Sequence, residues 1–239
     1  MMEFHPGKCQ VMSITRKRHP LIRNYLLHGT VLERVKSAKY LGVNLSDDLR
    51  WNQHVDAITA KASRSLGFLR RNLQVKNEKL KTNAFFSLVR PQLEYASTVW
   101  DPHTAANINK IEMVQRRAAR YVKNRWYYKS SVGNMLQELG WATLAQRREQ
   151  ARLSMMYKIH HGLVCINQQF QFVTPMSRSS RDTHADAYHL PYSRTEFHAM
   201  SFFPRTVPVW NSLPGSLAQA KSLEAYRAGI AAHLSTEMP

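Results

Sequence analysis

The chain has 239 residues, 44% of them hydrophobic, so it can form one medium domain or two small ones with a core. Lys and Arg number 34 against 16 Asp and Glu, a formal net charge of +18, which favours a polyanionic partner. Two distant cysteines exclude a disulfide scaffold and favour an intracellular protein of the nucleus or cytoplasm, not a secreted one. No apolar run is long enough for a transmembrane helix, and the N-terminus, which has no signal-peptide core, is expected to be an interior piece of a longer chain.

The N-terminal segment, residues 1–45, predicts a small antiparallel sheet. KCQVMSIT is a short apolar run with β-branched residues. The two extended runs of RNYLLHGTVLERV meet at His28-Gly29, which is a plausible tight hairpin turn. AKYLGVNL predicts one further strand.

Residues 46–165 predict a mainly helical region, because apolar residues recur at spacings of three and four behind capping residues. The predicted helices run from about Leu49 to Leu73 after a Ser46-Asp47-Asp48 N-cap, Glu78 to Val89, Ala105 to Lys123, Ser131 to Leu139 and Thr143 to His160.

Residues 166–239 predict an irregular segment with one terminal helix, from about Leu223 to Leu234. FFPRTVPVWNSLP is aromatic and Pro-rich, which leaves little room for regular structure. The fold class expected for the whole chain is therefore α+β.

Two of the predicted helices carry cations opposite their apolar stripes, at 100° per residue. Such cations can contact phosphates without reading sequence. A merely solvated charged surface is the alternative, but few acids interleave and two successive helices share the bias. Nearly all the excess charge also precedes Cys165, since only six basic and five acidic residues follow it. The candidate nucleic-acid-binding residues are Lys61, Arg64, Arg71, Arg116, Arg117, Arg120 and Lys123.

An aromatic cluster follows the second basic helix. Trp126, Tyr127 and Tyr128 lie beside Arg125 and Lys129, a combination that can stack unpaired bases. The alternative is that one or two of these rings belong to the core and the rest cover a loop.

No catalytic or metal site is expected. A two-metal polymerase or nuclease needs at least two carboxylates on one site, and the one adjacent acidic pair, Asp47-Asp48, is placed at a helix start. His160, His161 and Cys165 are close in sequence, but a structural zinc needs four ligands and no second pair is evident.

Several stretches resemble the C-terminal part of reverse transcriptases from non-long-terminal-repeat retrotransposons, of the jockey-like and chicken-repeat-like kind. FHPGKCQVMSITRKR resembles the end of the palm, and AKYLGVNLSDDLRWNQHV the primer-grip strand and the turn into the thumb. SLVRPQLEYASTVWDPH and IEMVQRRAARYV resemble the helical region beyond it. SFFPRTVPVWNSLP resembles the family's closing motif.

The resemblance implies a palm remnant in residues 1–45, a thumb-like region in 46–165 and an extension in 166–239. Tyr40, Leu41 and Gly42 match the primer-grip pattern. The family's partner is template–primer duplex or RNA–DNA hybrid.

The catalytic aspartates of this family, and the Mg²⁺ they bind, belong to a polymerase half missing here. We therefore expect a duplex-binding fragment that needs no cofactor and does not polymerise alone. The alternative is a non-enzymatic module for a protein partner or an anionic membrane surface.

Overall fold

The N-terminal strands form three separate two-stranded ladders in the computed structural model, which describes residues 3–15, 17–19, 21–127, 130–166, 175–176 and 184–236. The strands are β1 (Gln10–Val11), β2 (Leu26–Leu27), β3 (Thr30–Val31), β4 (Glu33–Arg34), β5 (Ser37–Tyr40) and β6 (Val43–Ser46). β2 pairs with β3 and β5 with β6, both antiparallel, whereas β1 pairs with β4 in parallel. A small antiparallel sheet ahead of a helical region is confirmed, but its first ladder is parallel and the ladders do not join.

Two hairpin turns are set by pairs of residues with positive φ. The predicted turn at His28-Gly29 is confirmed, with φ of 49° and 76°. AKYLGVNL, predicted as one strand, is instead a hairpin, because Leu41 and Gly42 have φ of 44° and 86°. Positive φ at both central residues gives a two-residue turn the twist that its flanking strands need.

The predicted N-cap at Ser46-Asp47-Asp48 was wrong. Ser46 ends β6, and its hydroxyl donates to Asp48 Oδ1 at 2.6 Å. The same carboxylate oxygen accepts the Arg50 N–H at 2.9 Å, so the acid closes a turn and the helix begins later, at Asn52. Asp side chains bond their own backbone two residues on in this way.

The named elements that follow β6 in the described residues are helices, and those predicted at Glu78, Ala105, Ser131, Thr143 and Leu223 are confirmed. Ser131 accepts the Asn134 N–H, and Thr143 forms a capping box with Gln146. The helices are α1 (Asn52–Asn72), α2 (Glu78–Leu88), α3 (Arg90–Glu94), α4 (Ser97–Trp100), α5 (Ala105–Lys123), α6 (Val132–Glu138), α7 (Leu144–His160), α8 (Glu196–Ala199), α9 (Phe202–Ser212), α10 (Gly215–Ala218) and α11 (Leu223–Thr236).

The aromatic, Pro-rich segment predicted to be irregular forms α9. Pro204 lies in the first turn, where its missing N–H would have no partner inside the helix. Pro208 has no N–H, so the helix lacks one backbone hydrogen bond there, but Val207 and Trp210 are completely buried on this helix. Their burial offsets that loss. The predicted irregular tail is therefore substantially helical between residues 196 and 236, while most of residues 167–183 lies outside the described ranges.

The hydrophobic core has two clusters that share α7. The first packs α1, α2, α3, α5 and α6 around Phe85 and Trp100 and includes Leu144, at the start of α7. The second packs the later turns of α7 against α9, α10 and α11 around Trp210 and Tyr226. Helix α7 therefore contributes to both clusters. The domain boundaries expected near residues 45 and 165 stay predictions.

Candidate nucleic-acid interface

Helices α1 and α5 lie side by side and run parallel. Near their beginnings Lys110 Nζ is 2.6 Å from Asp56 Oδ1, and near their ends the Tyr121 hydroxyl donates to the Leu73 carbonyl at 2.7 Å. Both helices bury their apolar faces in the first core cluster. Their polar faces therefore point to one side of the pair.

The predicted cations occupy that outer side. Those exposed are Lys61, Arg64, Arg71, Arg116 and Arg117. From the contacts at the two ends, Arg64 of α1 is about level with Arg116 and Arg117 of α5. None of the five has a described carboxylate within ion-pair distance. Arg120 is half-buried and donates weakly to Ser130 Oγ, at 3.4 Å.

Lys123 departs from the expectation for a phosphate ligand. Its side chain is only 11% exposed, and its ammonium is 2.9 Å from Glu78 Oε2 and 3.1 Å from Glu138 Oε2. The hydrogen bond to Glu78, followed by the one to Glu138, raises the pKa of Lys123. This cation joins α2, α5 and α6, and its charge is already neutralised.

The primer-grip-like tripeptide lies at the tip of the β5–β6 hairpin. Tyr40 and Leu41 are exposed. The Tyr95 hydroxyl donates to the Leu41 carbonyl at 3.1 Å, and a Cβ on Gly42 would lie 3.1 Å from the Tyr95 ring. Gly42 is therefore required by both its positive φ and this close approach.

A notch of about 290 Å³ separates this hairpin from α1 and α3. Lys39 and Lys61 line it, so it is continuous with the basic side of α1. His54 forms its floor and accepts the Asn44 N–H at 3.2 Å. Burial, then the charge of Lys39, lowers the pKa of His54, which favours the neutral ring that this bond needs.

The aromatic cluster is described only in part, since Tyr128 and Lys129 lie outside the described residues. Trp126 and Tyr127 are exposed, and the Arg70 guanidinium lies 4.5 Å from the Trp126 ring centroid. Arg125 pairs with Glu138 at 2.8 Å.

Two acids earlier in the chain anchor α7: Glu94, whose side chain is half-buried, and Asp101, whose carboxylate is buried. Glu94 pairs with Arg147, and Asp101 Oδ1 accepts Arg148 Nε at 2.7 Å. In the sequence, the adjacent Arg147-Arg148 pair was the available signal for these contacts. Assigning each arginine to an acid about 50 residues earlier in the chain requires the tertiary structure.

The two histidines considered for metal binding have other partners. The His160 ring is 2.8 Å from the Tyr188 hydroxyl, His161 is 3.1 Å from the Ala218 carbonyl, and Cys165 is an exposed free thiol. Within the described ranges, no group of three His, Cys, Asp or Glu side chains is placed to hold a metal ion. No helix there combines the length and apolarity that crossing a membrane requires.

Together the fold and the exposed cations define an α+β protein with a basic face on a parallel helix pair. The chain is similar to a probable RNA-directed DNA polymerase from transposon BS of Drosophila melanogaster, with 27% identity over 143 residues. The match covers 58% of this chain and 16% of that polymerase, so this chain corresponds to a small part of its relative. The similarity supports a reverse-transcriptase-related origin. No family model matches the chain, and no solved structure matches it.

Proposed function

We propose that this chain is the thumb-like, C-terminal part of a jockey-like retrotransposon reverse transcriptase, and that it holds template–primer duplex or RNA–DNA hybrid through phosphate contacts. The observation that carries the proposal is the group of five exposed cations on α1 and α5 that have no ion-pair partner among the described carboxylates. Packed helices lie about 8–10 Å apart, so the two basic faces form one surface.

The absence of described carboxylates beside these cations matters energetically. A cation already paired with an acid must lose that pair before it contacts a phosphate, as Lys123 would. Unpaired Lys and Arg instead displace counterions from the nucleic acid, which is the main source of sequence-independent affinity. Lys61, Arg64, Arg71, Arg116 and Arg117 meet that condition.

The β5–β6 hairpin supports a role next to the duplex end. Tyr40 and Leu41 project from a turn that Tyr95 holds against α3. The notch behind them opens toward Lys61. We infer that the hairpin contacts the primer strand while the helix pair holds the duplex.

Binding without catalysis is the second element of the proposal. The parent family's Mg²⁺ site needs converging carboxylates. The Asp48 carboxylate already accepts hydrogen bonds from the Ser46 hydroxyl and the Arg50 N–H, which close a turn, so its role there is local and structural. Primer extension on a primed RNA template with Mg²⁺ or Mn²⁺ is expected to show no incorporation. Incorporation above a mock-purified control would contradict this.

Salt dependence tests the binding itself. With about five phosphate contacts, log K for a labelled duplex should fall with log salt at a slope of roughly −4 to −5. Fluorescence anisotropy titrations at salt concentrations from about 50 to 200 mM measure the slope, because affinities that depend on phosphate contacts change strongly over this range. Duplexes of different sequence should bind alike. Binding to anionic vesicles with no affinity for duplex would instead identify a membrane-surface module.

A further inference from the structure

A separate cleft of about 610 Å³ lies where α1 and α5 end and α2 begins. Its volume is within the range of small-ligand sites, about 300–1,000 Å³. Its walls combine cations with aromatic rings and one carboxylate. The residues that the argument uses are Arg70, Lys76, Lys81, Tyr121, Lys123 and Trp126.

The cleft has more positive charge than its acids neutralise. Arg70, Lys76 and Lys81 have no ion-pair partner among the described carboxylates, since the one lining acid, Glu78, binds Lys123. Lys81 is only 6% exposed, and its ammonium lies 4.8 Å from the Tyr121 ring centroid but donates only one described hydrogen bond, to the Tyr121 carbonyl at 3.2 Å. An ammonium has three donors, so a buried one with a single oxygen partner favours an added anion.

The aromatic wall gives the cleft a second preference. The Arg70 guanidinium lies 4.5 Å from the Trp126 ring centroid, yet Trp126 remains 45% exposed. A planar ring held by a cation and still open to solvent is a stacking platform for a nucleobase. A simple inorganic anion would use the ammonium groups and leave this ring unused.

We propose that the cleft binds one unpaired nucleotide of a single-stranded segment that continues from the bound duplex. The base stacks on Trp126, and its phosphate contacts Lys76 and Lys81. The position fits, because Arg70 is adjacent to Arg71, the last cation of the α1 basic face. The inference rests on the proposed function for its duplex but adds a distinct site for the unpaired strand.

The test compares a blunt duplex with the same duplex carrying a short single-stranded tail, using the full chain. The tail should improve affinity about tenfold, since one stacked base contributes on the order of that factor. Trp126→Leu should abolish this gain and leave blunt-duplex affinity unchanged. Trp126→Phe, which keeps a stacking ring, should restore most of it, and Lys76→Gln should reduce it several-fold.

Tyr127→Leu is the matched control, because Tyr127 is exposed and adjacent in sequence but does not line the cleft. Tryptophan fluorescence provides a local readout: a tail should quench the parent protein and not Trp126→Leu. If the parent protein bound blunt and tailed duplexes with equal affinity, the proposal that the cleft binds an unpaired nucleotide would be overturned, while the proposed duplex binding would still hold. If no duplex binds, the proposed function fails, but the cleft can still be tested by itself: a single-stranded thymidine oligonucleotide should quench the tryptophan fluorescence of the parent protein. No quenching by that oligonucleotide would overturn the cleft proposal as well.

Discussion

Replacing Asp101 with asparagine is expected to lower the free energy of unfolding by about 3–5 kcal/mol, because it removes the negative partner of a buried charge cluster. Asp101 is 7% exposed and faces three guanidiniums. Arg148 Nε and Arg152 Nη1 lie 2.7 and 3.1 Å from its carboxylate, and Arg205 Nη1 lies 3.3 Å away. Arg205 also donates to the Asp101 carbonyl at 3.1 Å.

The effect is large because the cluster is already short of negative charge. Burial, followed by the charge of Arg205, lowers the pKa of Arg152. Arg148 Nη1 and Arg152 Nε are buried without a hydrogen-bond partner. An asparagine would present N–H donors to these cations in place of a carboxylate oxygen. Since the cluster joins α7 and α9 to the end of α4, its loss should also loosen the contact between the two core clusters.

Urea denaturation followed by circular dichroism measures this change. Asp56→Asn is the matched control, since its pair with Lys110 is exposed and should contribute less than about 1 kcal/mol. Adding Arg205→Met to Asp101→Asn should recover part of the loss, because it removes one of the repelling cations. Equal stabilities for the Asp101 and Asp56 variants would mean that the cluster does not hold the fold together.

Replacing Arg116, Arg117 and Arg120 with glutamine is expected to weaken all duplexes alike and to reduce the salt slope by up to about three. Arg116 and Arg117 are exposed and form no ion pair with a described carboxylate, so their full charge is available to phosphates. Arg120 is half-buried and should contribute least. Anisotropy titrations of the parent and the triple variant across a salt series give both quantities.

The matched control is Arg194, Lys221 and Arg227 changed to glutamine. These three are exposed, lie outside the helix pair and produce the same change in net charge. A smaller effect in the control shows that the position of the cations, and not the total charge, controls binding. An unchanged affinity and slope in the α5 variant would leave its basic face as an ordinary solvated surface.

The helices that sequence predicted well are those whose signals are local. Ser131 and Thr143 act as caps on the residues that follow them, and α5 has the expected bounds, Ala105–Lys123. The errors occurred where one pattern has two local solutions. Ser46-Asp47-Asp48 can cap a helix or close a turn, and the pairing of Asp48 with Ser46 and Arg50 decided for the turn.

The basic face on α1 and α5 was predicted in outline because its signal is also local. Helical periodicity placed Lys61, Arg64 and Arg71 opposite an apolar stripe, which needs no knowledge of neighbouring elements. It could not show that Lys123 would meet Glu78 and Glu138, which come from two other helices. The cleft beside Trp126 was equally hidden, because its cations come from α1, α2, α5 and the segment between α1 and α2.

The sequence by itself determined the net charge of +18, which is a sum over its composition. It also determined the helical periodicity, the caps at Ser131 and Thr143 and the His28-Gly29 turn, because each of these depends on residues within a few positions of one another. Only the tertiary structure decided which charges are free and which are paired. Asp101 meets arginines 47 to 104 residues further along the chain, as the contacts to Arg148 and Arg205 show. It also decided that α9 is helical despite Pro208, since burying Trp210 against α7 and α11 outweighs one lost hydrogen bond. Long-range pairing and burial depend on how the chain folds back on itself, which local sequence patterns do not encode.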